Sequence, residues 1–303
     1  MLKRQGYEHG NMRIIVHGGA GTRPGEPTKH QRALDAAAKA AAGTGSPIAA
    51  VRSAVRTLES DPRFNAGVGS AVQSDGHIRT DAGVMTSDGR IGAACSMPGV
   101  EHAVDVADVV RRETPHVLIS GVHAVDLADA YGLETGVDLW SERTRTRWRA
   151  LEGRPDGDLR AHVGWVRERF GGGIAHDDHD TVGAVATDGT RVAAATSTGG
   201  RWLALAGRVG DVPQAGSGFY CTGSGGASAT GAGEDIARTN LSRRAVDLLH
   251  DGHPPEDAAD KAIEAFEARV DGAAGVILST PDGGVSAAHN SESMKTAVAG
   301  TVR

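Results

Sequence analysis

Residues 176–185 read His-Asp-Asp-His-Asp-Thr-Val-Gly-Ala-Val, and the chain changes texture at Thr181. Upstream, from about 140 to 180, arginines at 143, 145, 147 and 149 alternate with polar residues. Gly, Pro and Asp then accumulate as far as Gly171-Gly172-Gly173. So long a weakly patterned connection marks a linker or a functional segment; within it, 160–169 reads as a transient amphipathic helix. Downstream, the small apolar run 181–186, the Asp188-Gly189 turn and the run 191–196 predict a β-hairpin.

Working outward from this junction, 13–17 reads as a buried strand, followed by a sharp glycine turn at 18–21. A helix capped near Thr28 is expected to run to about Gly43. Ser46-Pro47 opens a second, with Val51, Val55 and Leu58 on one stripe. A glycine-rich loop at 64–69 precedes short strands around 70–73, 82–85 and 91–95, and helices are expected at 101–112 and 121–131. Beyond the hairpin, a glycine-rich region at 199–233 leads into a helix at 234–250. Pro254-Pro255-Glu256 starts another, striped by Ala259, Ile263, Phe266 and Val270. Strands at 276–279 and 285–289 form a last hairpin. This order predicts a layered α+β fold, as one domain of two similar halves packed sheet on sheet with helices outside.

Composition removes several classes of function. The chain of 303 residues carries a net charge of −6, so no basic footprint points to nucleic acid. No apolar run reaches the roughly 18–20 residues of a membrane span. Cys95 and Cys221 form no CxxC pattern, which argues for a reducing compartment, and the first residues lack the apolar core of a signal peptide. A cytoplasmic location is expected.

The chemical candidates differ in weight. His176, Asp178, His179 and Asp180 have metal-ligand chemistry, but adjacent loop residues rarely converge on one ion, and a hydrated acidic loop is the ordinary reading. The glycine-rich stretch 223–234 has no Walker lysine and does not follow the dinucleotide pattern, though its backbone N–H groups suit a small anion or oxyanion. No G-x-S-x-G elbow exists, and His17 reads as a structural histidine. A threonine at a strand start is ordinarily just a strand former. Thr181 is set apart by the segment that ends at Asp180. Were the chain cut between them, the new α-amine, with a pKa of about 7.7–8, would serve as a base for its own hydroxyl.

HDTVGAVATDG at 179–189, AAATSTGG at 193–200, GRVGD at 207–211 and TGAGE at 230–234 resemble the plant-type L-asparaginases, or isoaspartyl peptidases, which are threonine N-terminal-nucleophile hydrolases. VHGGAGT at 16–22 and FNAGVGS at 64–70 match in the same order. The resemblance covers nearly the whole chain outside about 140–178. It implies a four-layer αββα sandwich, with self-cleavage between Asp180 and Thr181 into an α-subunit (1–180, linker at about 140–180) and a β-subunit (181–303). It further implies a dimer of the cleaved protomers.

The same resemblance implies a small-molecule substrate, asparagine or a β-aspartyl peptide, opened through a β-aspartyl ester on Thr181. Thr198 would support the nucleophile, Thr230 and Gly231 the oxyanion. Arg208 would hold the substrate carboxylate and Asp211 its ammonium. Gly233 would line the amino-acid pocket, and Asn65 would position groups near the nucleophile. No cofactor is required, but a structural sodium is expected on main-chain carbonyls of Leu58, Glu59, Asp61, Phe64, Ala66 and Val68. The chain departs from the family pattern at 201–206, where RWLALA replaces a polar segment, at Ala232, and in part at 289–294. Two alternatives stand beside this: a glycosylasparaginase-like hydrolase of the same fold, and a non-catalytic metal- or anion-binding protein.

Overall fold

Strand β1 (Met12–Gly21) is buried along almost its whole length, as its apolar run on both faces requires of a strand with neighbours on each side. It is seen in a computed structural model that describes residues 12–155, 157–170 and 181–302. Its antiparallel partners are β11 (Ser293–Thr301) and β5 (Val182–Thr187). Beyond β5 the sheet continues through β6 (Val192–Thr198), β2 (Arg79–Thr86), β3 (Ile91–Pro98) and β4 (Leu118–Ser120), giving seven strands. A second sheet runs β10 (Val285–His289), β9 (Ala274–Ser279), β8 (Gly225–Gly231) and β7 (Phe219–Thr222).

The two sheets share a core. Ile15, Met85, Val185 and Val192 of the first meet Phe219, Cys221 and Ile277 of the second. Small residues allow this approach: a Cβ on Gly83 would lie 1.9 Å from the Phe219 ring, and one on Gly226 would lie 2.9 Å from Val185. Helices α1 (Pro27–Ala41), α2 (Pro47–Glu59), α3 (Ala103–Glu113) and α4 (Val122–Ala130) pack Leu34, Val51, Val55 and Val104 against large-sheet residues such as Val84 and Ala184. Helices α7 (Gly233–Thr239), α8 (Leu241–His250) and α9 (Pro255–Glu267) bring Ile236, Val246 and Phe266 to Val276 and Leu278 of the small sheet. Each such side chain contributes about 1.5–3 kcal/mol when fully buried.

The Asp188-Gly189 hairpin, the final hairpin and the Ser46 cap form as read; the Ser46 hydroxyl accepts from Ala49 N at 3.4 Å. Several expectations are corrected. The halves do not form separate units, because β5 and β6, beyond residue 181, lie between β1 and β2 of one sheet. The segment 140–180 is not simply a linker. It carries α5 (Glu142–Arg149), fixed by a capping box between Ser141 and Thr144, and α6 (Leu159–Phe170), which matches the helix expected at 160–169. The run 70–73 makes only an isolated bridge, Val72 to Ile78. The glycine-rich 199–233 region contains β7 and β8, whose small residues serve the sheet-to-sheet approach. The helix at 234–250 is two helices, broken where Asn240 takes φ 52°. Helix α1 starts after Glu26, with Pro27 at its first position, so Thr28 is not its cap. Strands β4 and β11 complete the large sheet without having been read.

Candidate active site

Register places the first pair of groups. Val182 pairs with Ser197, so the residue before β5 falls opposite the last residue of β6. The buried Thr181 hydroxyl accordingly donates to Thr198 Oγ1 at 3.1 Å. Thr198 Oγ1 also accepts from Gly200 N at 3.1 Å and donates to Asn65 O at 3.4 Å. Asn65 ties the loop after α2 to the turn after β6. Its Nδ2 donates to Gly200 O at 2.6 Å, and its Oδ1 accepts from Ala71 N at 2.7 Å.

Behind the threonine lies a buried polar chain. His17 is fully buried, with Nε2 2.8 Å from Ser228 Oγ, which is itself 2.8 Å from Thr196 Oγ1. Thr196 donates onward to Gly218 O at 2.9 Å. Burial pushes the His17 pKa down to about 3, against a hydrogen bond with the Thr181 main chain, so the ring is neutral. His17 is thus a structural histidine, held through Nε2 by Ser228.

In front lies a pair of opposite charges. Arg208 makes a bidentate contact with Glu234, 2.8 Å on each arm. Burial works against its charge, but the Glu234 contact more than offsets this, and its pKa is raised. Asp211 is 5% exposed, and its Oδ2 has no hydrogen-bond partner. Burial lifts its pKa to about 7; Arg208 opposes the shift, while Glu234 and Asp81 add to it. Glu234 moves the other way, to about 2, because its bonds to Arg208 outweigh desolvation. A Cβ on Gly233 would lie 2.6 Å from Arg208 Nη2 and 2.8 Å from Asp211 Oδ1, so only glycine leaves the space between these charges open. Gly231, at φ 136°, passes so close to the next strand that a Cβ would sit 2.2 Å from Ala273 O.

Asn65, Thr181, Thr198, Arg208, Asp211, Gly231 and Gly233 line one pocket with Gly200 and Arg201. Thr230 is buried at the end of β8, next to Gly231 but not in that lining. Asp180, like the whole of 171–180 with its histidines and aspartates, lies outside the described residues. Among the described residues, no three His, Cys, Asp or Glu side chains gather as a metal site.

In the 58–68 loop, Glu59 O accepts from Val68 N at 2.8 Å, Leu58 O from Asp61 N at 3.2 Å, and Asp61 O from Phe64 N at 3.1 Å. The Asp61 carboxylate pairs with Arg63. The fully buried Glu59 carboxyl accepts from Ser197 Oγ at 2.6 Å and Val104 N at 3.0 Å.

Sequence reasoning missed two side chains of the site. Glu234 stood in TGAGE, but a glutamate in a helix's first turn ordinarily reads as a complement to the helix dipole. Asp81 pairs in register with Thr198, accepts from Ser96 N at 2.6 Å, and has its pKa raised by burial to about 6. Nothing in TDAGVM distinguishes it from a turn aspartate.

A hydroxyl facing a separated cation and anion in one pocket is equipment for opening a bond in a small zwitterion, the work of a hydrolase. Comparison with known proteins agrees. The family model described as Asparaginase matches residues 10–302. A plant-type L-asparaginase of Pyrobaculum calidifontis is 40% identical over 262 residues, covering 83% of this chain and 84% of that protein. A plant-type L-asparaginase of Pyrococcus abyssi is 36% identical, over 93% of this chain and 94% of its own. An isoaspartyl peptidase/L-asparaginase of Macaca fascicularis is 34% identical, over 94% and 92%. This chain belongs to the asparaginase family.

Proposed function

We propose that the chain is a self-processing amidohydrolase acting on the side-chain amide of L-asparagine or on β-aspartyl peptides. The observation that carries this reading is the pocket itself, in which the Thr181 hydroxyl, 3.1 Å from Thr198 Oγ1, shares a lining with Arg208 and Asp211. The chain is first cut between Asp180 and Thr181: the hydroxyl attacks the preceding carbonyl, the acyl group moves from nitrogen to oxygen, and water hydrolyses the ester. The freed α-amine then acts as base for its own hydroxyl.

In turnover, Arg208 holds the substrate α-carboxylate with the guanidinium edge that Glu234 leaves open, and Asp211 holds the α-ammonium. Gly233 keeps the space between them clear, and Asn65 fixes the loop beside the nucleophile. Thr181 Oγ1 bonds to the β-carbonyl carbon while Thr198 supports it. The oxyanion is held at Thr230 and Gly231. The C–N bond breaks, the amine leaves with a proton, and water releases aspartate from the ester.

Two sheets in contact, each with helices packed against it, support a four-layer αββα sandwich as the scaffold. Residues 1–180 and 181–303 form its α- and β-subunits, and the processed protomers dimerise in the cytoplasm. The main-chain oxygens of Leu58, Glu59, Asp61, Phe64, Ala66 and Val68 take a sodium ion. Three of these already accept one backbone N–H, and each carbonyl retains a second lone pair, so the donor set fits a hard cation.

Mass spectrometry of the purified protein should find two fragments split before Thr181. The Thr181→Ala chain should stay whole and release no ammonia from asparagine. Self-cleavage and turnover surviving in that variant would defeat the proposal.

A further inference from the structure

We propose that the Glu59 side chain is a positioning residue for the reaction: through Ser197 it sets the strand that carries Thr198, and with it the support of the Thr181 hydroxyl. The inference rests on the activity proposed above and adds to it a residue outside the pocket lining.

Glu59 is the last residue of α2, and the buried stripe of Val51, Val55 and Leu58 fixes that helix in the core. Its carboxyl is fully buried, where a polar group is costly unless it is hydrogen-bonded. Two donors from two other elements meet on one of its oxygens. Ser197 Oγ of β6 donates to Oε1 at 2.6 Å, and Val104 N in the first turn of α3 donates to the same atom at 3.0 Å. The second oxygen faces His102 Nδ1 at 3.7 Å, too far for a hydrogen bond. One carboxyl thus joins α2, α3 and the central strand of the large sheet.

Alternation along β6 carries this tie to the site. Thr196 and Thr198 face the second sheet and the pocket, where Thr196 meets Ser228 and Thr198 meets Thr181. Ser197, between them, faces the helices and Glu59. Its partners in register are Val182, directly after the nucleophile, and Ala82, directly after Asp81. The Thr198 hydroxyl also donates to Asn65 O, and Asn65 stands in the loop after α2. That loop returns to Glu59 as well, whose main-chain oxygen accepts from Val68 N at 2.8 Å. Gly67 passes so near that a Cβ there, at φ 51°, would lie 2.2 Å from this oxygen. The strand that carries Thr198 and the loop that faces it are therefore fastened at one residue.

Arg208 and Asp211 lie beyond the turn that follows β6, and Arg208 is held separately by Glu234. Loosening the Glu59 tie should therefore slow the chemical step and leave substrate binding alone. A misplacement of about 1 Å in such a site costs as much as roughly a hundredfold in rate, and the loss of one buried hydroxyl contact should cost less.

Ser197→Ala tests this in the full chain, at a fixed concentration of sodium chloride and with L-asparagine as substrate. Its kcat per processed molecule should fall roughly tenfold at an unchanged KM. Cleavage before Thr181, followed by mass spectrometry, should slow with it. Glu59→Gln keeps an oxygen that accepts from Ser197 and should retain most of the native kcat, whereas Glu59→Ala should lose it as Ser197→Ala does. Native kcat and a native cleavage rate in Ser197→Ala would overturn the inference, even if a lower urea midpoint showed that the tie stabilises the fold. A loss confined to KM would overturn it too, as would a folded Glu59→Gln chain no better than Glu59→Ala. An unaltered chain that neither cuts itself nor hydrolyses asparagine or β-aspartyl-leucine would overturn the proposed function and this inference together. Ser197→Ala removes a single hydroxyl, so its result decides the matter whether or not the Glu59 variants fold.

Discussion

Asp211 is the side chain through which pH acts most directly on the site. Burial lifts its pKa from 3.8 to about 7, and one of its oxygens has no partner. The folded chain therefore favours its neutral form. The corresponding stability is full below about pH 4 and is lost as pH rises through 7. An ammonium needs the charged form, so kcat/KM for asparagine should climb through pH 7 as Asp211 ionises. Asp211→Asn should lower kcat/KM by roughly ten- to hundredfold. It should also remove the limb near pH 7, which a pH series on both proteins would read. Glu234 carries the opposite sign: its pKa is depressed to about 2, so its contribution is present above about pH 4.5 and lost on acidification. The sequence made Thr181, Thr198, Arg208 and Asp211 legible because each stands in a short motif with its own chemistry. It could not reveal that Arg208 is held by Glu234, since a pairing across 26 residues depends on where α7 begins.

At the scale of the element, glycine content hid two strands, while the helix signals placed most helices and misplaced some of their ends. The stripe of α2 and the turn of the β5–β6 hairpin are local facts, decided by spacing and by Asp188-Gly189. Strands β7 and β8 were hidden because residues such as Gly225, Gly226 and Gly231 carry no alternation to read. Their smallness answers to another sheet, which no local pattern records. Gly83 shows the strength of that constraint, since an added Cβ would meet the Phe219 ring at 1.9 Å. Gly83→Ala should destabilise the fold by about 1–3 kcal/mol, as overpacking between rigid layers does. A urea titration checks this: the midpoint should fall with the slope unchanged. Helix α5 escaped notice because Ser141 and Thr144 form their capping box amid arginines, and because its supports, Trp202 and Leu203, lie far downstream.

For the whole molecule, the interleaving of strands governs what a cut at 180–181 can do. The expectation of two similar halves failed because pairing between β1 and β5, or β1 and β11, is a long-range choice that periodicity does not encode. With β5 and β6 held between β1 and β2, fragments 1–180 and 181–303 should elute together from a sizing column. They should part only in denaturant, and separation in plain buffer would contradict the topology. The same arrangement sets an order in time. Strand β1 ends at Gly21, but its neighbours begin at Val182 and Ser293. At roughly 5–20 residues per second of synthesis, β1 spends on the order of ten seconds with both edges bare. The pocket around Thr181 draws on Gly231 and Gly233, late in translation. If the proposed cut before Thr181 requires this pocket, the bond breaks only after translation has passed Gly233 and the pocket has folded, and the new amino terminus records quality control written in covalent form.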